Sequence, residues 1–316
     1  MKYALAPLAG FTDAPFRKLA YEGGADLTYT EMVSAAGLFH GSSPTRHLLE
    51  TMEGEGAVAC QLFGSKEDEL AFAAQLIERE YRDQFAELNL NAGCPMTKVT
   101  REGAGAKLIE SPDKIYRLLK AMTENTSLKV TLKTRLGPHP ERTNIFEIAD
   151  AAFEAGAKGI IIHARYTSQM HGGEVHLKTL SEVVRRAKLP VAGNGSVVDE
   201  KTAQAMAATG VEMIMIGRAA LARPQIFSEL KGENIACDDL VKAVLPRHLE
   251  YILQFREALC RKFPHDHIPS ADGYASVKMH THLFRYFNGR PGAAALRKRL
   301  NGVRTLSEIK SIIANG

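Results

Sequence analysis

The chain has 316 residues, is 45% apolar and 24% charged, and carries a formal net charge of +4. Those values exclude a disordered or collagen-like chain, and the length admits one barrel-sized domain plus a small one. Four cysteines (Cys60, Cys94, Cys237 and Cys260) with no Cys-x-x-Cys pair provide neither a disulfide framework nor a zinc cluster.

No apolar stretch approaches the ~20 residues of a membrane span. The N-terminus runs at once into the strand-like Tyr3-Ala4-Leu5-Ala6, without a leader pattern. A cytoplasmic, monomeric protein with no membrane partner is expected. The charge is unevenly divided: residues 1–236 hold 27 Lys+Arg against 29 Asp+Glu, and residues 237–316 hold 13 against 7. A polyanion is the natural partner of so basic a C-terminal quarter; a solvated basic helix surface is the plainer alternative.

Eight strand candidates follow in chain order: 3–8, 27–30, 57–62, 86–91, 129–135, 159–163, 190–193 and 213–217. Several are entered through a glycine that ends a helix, as in Gly23-Gly24-Ala25-Asp26, Ala155-Gly156-Ala157-Lys158 and Thr209-Gly210-Val211-Glu212. Helix starts are marked by Ser65 before Lys66-Glu67-Asp68 and by Ser111-Pro112-Asp113, with Pro at the first helical position. Strands alternating with helices in this way predict an α/β fold, a (β/α)8 TIM barrel over residues 1–236. A doubly wound sheet is disfavoured, because no Gly-x-Gly-x-x-Gly follows the first strand. Beyond 236 the pattern is helical (239–260, 272–287, 291–300, 305–314), with Pro264 and Pro269 between the first two, which predicts a small all-helical domain over 237–316.

Barrel enzymes carry reactive groups at the C-terminal ends of their strands. Those ends supply Pro7, Gln61, Asn91 and Cys94, then Lys133 with Arg135, His163 with Arg165, Asn194-Gly195 and Gly217-Arg218. The last two are glycine turns leading into helices, a geometry that presents backbone N–H groups to phosphate. An amide, an ammonium and an imidazole (Gln61, Lys133, His163) around one mouth suit a flavin ring, with Lys133 opposite the charge that reduction places on it. Gly93 and Pro95 hold Cys94 in a turn of defined shape, which suits a proton donor or a nucleophile, although many free cysteines are only small buried apolar groups. Lys98 and Arg101 follow in a loop within reach of phosphate. A metal site among His265, His267, His280 and His282 is not expected, since no Cys or carboxylate spacing completes one.

The run Ala6-Pro7-Leu8-Ala9-Gly10-Phe11-Thr12-Asp13-Ala14-Pro15-Phe16-Arg17 resembles the opening motif of the tRNA-dihydrouridine synthases. Asn91 to Pro95, Lys133 to Gly137, His163-Ala164-Arg165, Asn194-Gly195 and Gly217-Arg218 fall in that family's order and spacing. The sequence departs from the family pattern at Asn89, Ala164, Tyr166, His171 and 175–177.

The resemblance implies FMN in the barrel mouth, reduced by NADPH (or NADH), and a uridine of tRNA flipped onto the flavin. Pro7, Gln61, Lys133, His163, Asn194, Gly195, Gly217 and Arg218 would hold the cofactor. Hydride would add at C6 of the uracil, and Cys94 would protonate C5; a thiol of pKa ~8.5 still carries its proton at neutral pH. Asn91, Arg135, Lys98 and Arg165 would contact the substrate, and the basic tail would hold the RNA backbone. A related flavin barrel acting on a free pyrimidine or another small enone is the alternative.

Overall fold

The computed structural model describes residues 1–233, 240–287 and 302–315. The domain boundary expected at 236/237, Cys237 and the helix expected over 291–300 lie outside the described residues. Among the described residues nine parallel strands form the core: β1 (Lys2–Leu5), β2 (Thr28–Tyr29), β3 (Val33–Ser34), β4 (Val58–Phe63), β5 (Glu87–Ala92), β6 (Lys129–Arg135), β7 (Ile160–His163), β8 (Val191–Asn194) and β9 (Met213–Ile216). They run in the order β1-β9-β8-β7-β6-β5-β4-β2, with β3 also on β4. A bridge between Ala4 and Leu27, with the Leu5 N–H donating to the Leu27 carbonyl at 2.9 Å, brings the two ends of the sheet together. The expected (β/α)8 barrel is therefore present and nearly closed.

The second stave differs from its expected single run over 27–30. It is split by a bulge: the four steps from Tyr29 to Val33 face only three from Ala59 to Leu62, and Glu31 within the bulge accepts a hydrogen bond from the Gly10 N–H. Small residues make the barrel interior: Ala4, Ala6, Ala59 and Ala192 pack with Tyr29, Ile161 and Met215. Alanines there leave space above them at the C-terminal mouth. Outward-facing residues of the same strands join the helices in one large apolar cluster, as expected of parallel strands covered on their outer face.

Ser111 caps the helix Pro112–Thr123 by accepting from the Lys114 N–H at 3.3 Å. Ser65 does not cap the helix Glu67–Glu80, whose N-cap is Lys66. Its hydroxyl instead donates to the Glu102 carbonyl at 2.6 Å and ties down the segment after Cys94. The C-terminal helices Leu240–Lys262, Ala271–Tyr286 and Leu306–Asn315 pack on one another. They also pack on the barrel helix Ala14–Glu22 and the short helix Arg218–Ala222. Among the described residues no helix is long and apolar enough to cross a membrane.

Candidate active site

The strand ends open onto a cavity of about 490 Å³. Of the residues singled out from sequence, Pro7, Asn91, Cys94, Lys133, Arg135, His163, Arg165, Asn194, Gly195, Gly217 and Arg218 line it. Three do not. Gln61 is fully buried one layer lower, donating to Asn89 Oδ1 at 2.7 Å and accepting from Asn91 Nδ2 at 2.8 Å. Lys98 is exposed on the short helix Thr97–Thr100, and Arg101, at the end of that helix, is exposed as well. Among the described residues, no carboxylate lines the cavity.

The loop after β5 is built around Asn91. Its Oδ1 accepts from the Gly93 N–H at 3.1 Å and the Cys94 N–H at 3.0 Å, and Nδ2 is also 3.0 Å from Met32 Sδ. Cys94 is a free, half-buried thiol at the cavity wall. Its carbonyl accepts from the Ala106 N–H at 2.8 Å. Gly105 (φ +59) makes that approach possible, because a Cβ there would lie 2.6 Å from the Cys94 oxygen.

Lys133 is the register neighbour of Asn91, and its ammonium donates to Asn194 Oδ1 at 3.1 Å. Burial, with the Arg135 guanidinium beside it, pushes its pKa down to about 7. Arg135 donates to the carbonyls of Gly93 (2.8 Å) and Met170 (2.7 Å); burial lowers it to about 10. Arg165 donates to Ser196 Oγ and the Gly173 carbonyl, both at 2.7 Å, and to His163 Nε2 at 3.2 Å. An imidazole accepting at Nε2 is neutral and keeps its own proton on Nδ1. Burial, reinforced by Lys133, Arg135 and Arg165, holds His163 far below its ordinary range. These cations all meet neutral partners.

At the two glycine turns, Gly195 takes φ +133 and Ser196 takes φ +53, and Gly217 is the N-cap of Arg218–Ala222. The Arg218 and Ala219 N–H groups belong to a first helical turn, where no intrahelical acceptor exists. Arg218 reaches across to the His171 carbonyl at 3.3 Å. Backbone donors beside cations, with no carboxylate among them, fit the phosphate of a bound cofactor.

Phe11 and His171, which the sequence marks only as part of the opening motif and as a departure from the family pattern, also line the cavity. So does Arg285, which comes from the helix Ala271–Tyr286 and which no motif marks. His282 does not face solvent: with His248 and Asp13 it forms a buried group whose potential ligand atoms lie within 4.8 Å of one another. Lys278 already neutralises that carboxylate at 3.1 Å, so a divalent ion would meet an ammonium there. Burial pushes His282 down to about 4, although Asp13 favours its charged form.

Residues 4–314 match the protein-family model of dihydrouridine synthase (Dus). The chain is 38% identical over 227 residues to tRNA-dihydrouridine synthase B of Klebsiella pneumoniae, covering 72% of this chain and 70% of that protein. Against the Shigella flexneri protein of the same name it is 33% identical over 304 residues, 96% of this chain and 92% of the other. Its fold is similar to that of morphinone reductase (TM-score 0.52, 14% identity, 76% of this chain and 88% of the other). It is likewise similar to a variant of NCR from Zymomonas mobilis (TM-score 0.52, 17% identity, 77% and 90%). With the family match running nearly end to end over a barrel whose mouth gathers those motif residues, the chain belongs to the dihydrouridine synthase family.

Proposed function

We propose that this protein reduces the C5=C6 bond of uridines in tRNA to dihydrouridine, using FMN and a nicotinamide reductant, NADPH or NADH. The observation that carries the reading is the cavity itself: a thiol, an ammonium, two imidazoles and four guanidinium groups line it, without a carboxylate among the described residues. The tRNA-dihydrouridine synthase B relatives support tRNA as the substrate. When bound, the flavin supplies hydride to C6 of the uracil ring.

The chain's own residues supply the rest. Cys94 delivers a proton to C5 from a position fixed by Asn91 and Gly105. Lys133, neutral or charged near physiological pH, takes up a proton at Nζ as negative charge enters the cavity. His163 and Asn194 would present donors to the ring edge, and the Gly195 and Gly217 turns with Arg218 would hold the phosphate. Arg135 orients the uracil through its free guanidinium edge, because its other nitrogens are fixed on backbone carbonyls. Asn91 contributes from the adjoining strand by shaping the Cys94 turn, Arg165 beside His163, and Lys98 from the exposed helix outside. Residues 1–236 carry this chemistry and residues 237–316 hold the RNA. Gln61 acts one layer down, through Asn91.

The purified protein should be yellow, its colour should bleach with NADPH, and the reduced form should convert uridine to dihydrouridine in tRNA from cells lacking the gene. Protein that cannot be loaded with FMN, or tRNA left unchanged, would defeat the proposal.

A further inference from the structure

The barrel does not make the cavity wall alone. Arg285, from the helix Ala271–Tyr286, lines it beside Phe11 of the first strand-to-helix loop. Its guanidinium lies 5.6 Å from the centroid of the Phe11 ring. His282 meets the same ring edge-on at 5.5 Å, is 1% exposed, and stacks on Phe16 at 4.9 Å. One turn earlier, Lys278 pairs with Asp13 at 3.1 Å. Positions 278, 282 and 285 share a helix face. That face grips the segment from Phe11 to Phe16 and sets the guanidinium at the rim.

Lys133, Arg135 and Arg165 lie inside the wall, whereas Arg285 is exposed and belongs to the segment that carries the basic excess. A polyanion crossing the rim reaches it before anything deeper. We infer that Arg285 binds a backbone phosphate of the RNA next to the nucleotide that enters the cavity, and that His282 and Lys278 are positioning residues for it. The inference rests on the tRNA-reductase reading above.

The test compares wild type with Arg285→Gln, Arg285→Lys, His282→Asn and the double variant Arg285→Gln/His282→Asn. KM for tRNA is measured across roughly 50 to 200 mM salt. Arg285→Gln should raise KM roughly tenfold at low salt, the scale of one charge-assisted contact. It should also flatten the log–log salt slope by about 0.7–1. Arg285→Lys should keep the wild-type slope. His282→Asn should raise KM, and the double variant should be no worse than Arg285→Gln, because a positioning residue has nothing left to position. An unchanged slope in Arg285→Gln overturns the inference. So does slower bleaching of the flavin by NADPH without RNA, which would assign Arg285 to the reductant. A wild-type enzyme that makes no dihydrouridine sinks both readings; an active wild type with a normal Arg285→Gln variant sinks only this one.

Discussion

The cations of the cavity and those of the seam between barrel and C-terminal helices are satisfied by different partners. In the seam, Arg17 meets Glu55 at 2.8 Å, Lys262 meets Glu50 at 2.7 Å, Lys278 meets Asp13 at 3.1 Å and Arg247 meets Glu22 at 2.5 Å. In the cavity wall, Lys133, Arg135 and Arg165 meet an amide oxygen, carbonyls, a hydroxyl and an imidazole. A buried charge held only by neutral dipoles keeps much of its desolvation cost. The lowered values of Lys133 and Arg135 follow from that cost. An incoming anion relieves it in the cavity and has nothing to relieve at the seam. The same residue types thus serve structure where the chain supplies its own counter-ions, and binding where it does not.

The largest test removes chemistry from the cavity without touching its charge. Cys94→Ala should lower dihydrouridine formation by about 10²–10⁴. The cations remain, so flavin content should stay at the wild-type level. Single-turnover oxidation of the reduced flavin by tRNA is the measurement. A rate within tenfold of wild type would mean that the C5 proton comes from another group.

At the seam the loss should be stability. Arg17→Met leaves Glu55 and the Glu50 carbonyl facing a methionine in a site where both ion-pair side chains are 2% exposed. The expected cost is about 3–5 kcal/mol, read by urea unfolding. Burial already raises the Glu55 pKa even with Arg17 in place, so protonation of the orphaned carboxyl should shrink the cost in acid. Added phosphate or flavin should not restore the lost stability beyond what it gives the wild type.

Lys133 should make the flavin-stripped protein pH-sensitive in a defined direction. Its folded pKa is depressed to about 7, against about 10.4 in an unfolded chain. Between those values the unfolded state binds the extra proton, so stability rises with pH. The contribution is complete above the unfolded value and is lost as pH falls through about 7. Denaturant unfolding of wild type and Lys133→Met from neutral to alkaline pH should show the difference. The wild-type curve should be steeper, and FMN should flatten it by giving the ammonium an anion. Equal slopes in the two proteins would place the lysine in contact with solvent.

Much of the cavity, though not its contrast with the seam, is legible in the sequence. The strand-to-helix period located the strand ends, and those ends carry Asn91, Cys94, Lys133, His163 and Asn194 into one cavity. Sequence could not tell which layer a strand-end side chain occupies: Gln61 lies below the cavity because Asn89 and Asn91 hold its amide. The split of the second stave is a one-residue bulge against β4, visible only once the two strands are in register, and no local propensity encodes it. Arg285 was illegible for a related reason. It enters the site through the packing of a helix that begins at Ala271, on a face whose His282 and Lys278 look like ordinary polar residues until Phe11, Phe16 and Asp13 are placed against them.

The smallest expected effect sharpens the comparison most, because it makes the cavity resemble the seam. Asn91→Ala leaves the Gly93 and Cys94 N–H groups without their acceptor, for about 1–2 kcal/mol. It should also slow proton delivery by loosening the Cys94 turn. Asn91→Asp keeps an acceptor for both N–H groups and places a carboxylate beside Lys133, its register neighbour on β6. The ammonium would then have a counter-ion of its own, as Lys278 has in Asp13. Asp also loses the Nδ2 donor to Gln61, so flavin-stripped Asn91→Asp should be more stable than Asn91→Ala, and less pH-sensitive than wild type near neutrality. It should bind FMN more weakly, since the negative charge that relieved Lys133 also repels the ligand. Thermal unfolding with and without FMN separates the two effects: the stripped melting temperature should exceed that of Asn91→Ala while the shift on adding FMN shrinks. If the shift is undiminished, the uncompensated charge of Lys133 contributes little to holding the flavin, and the phosphate turns with Arg218 carry the affinity.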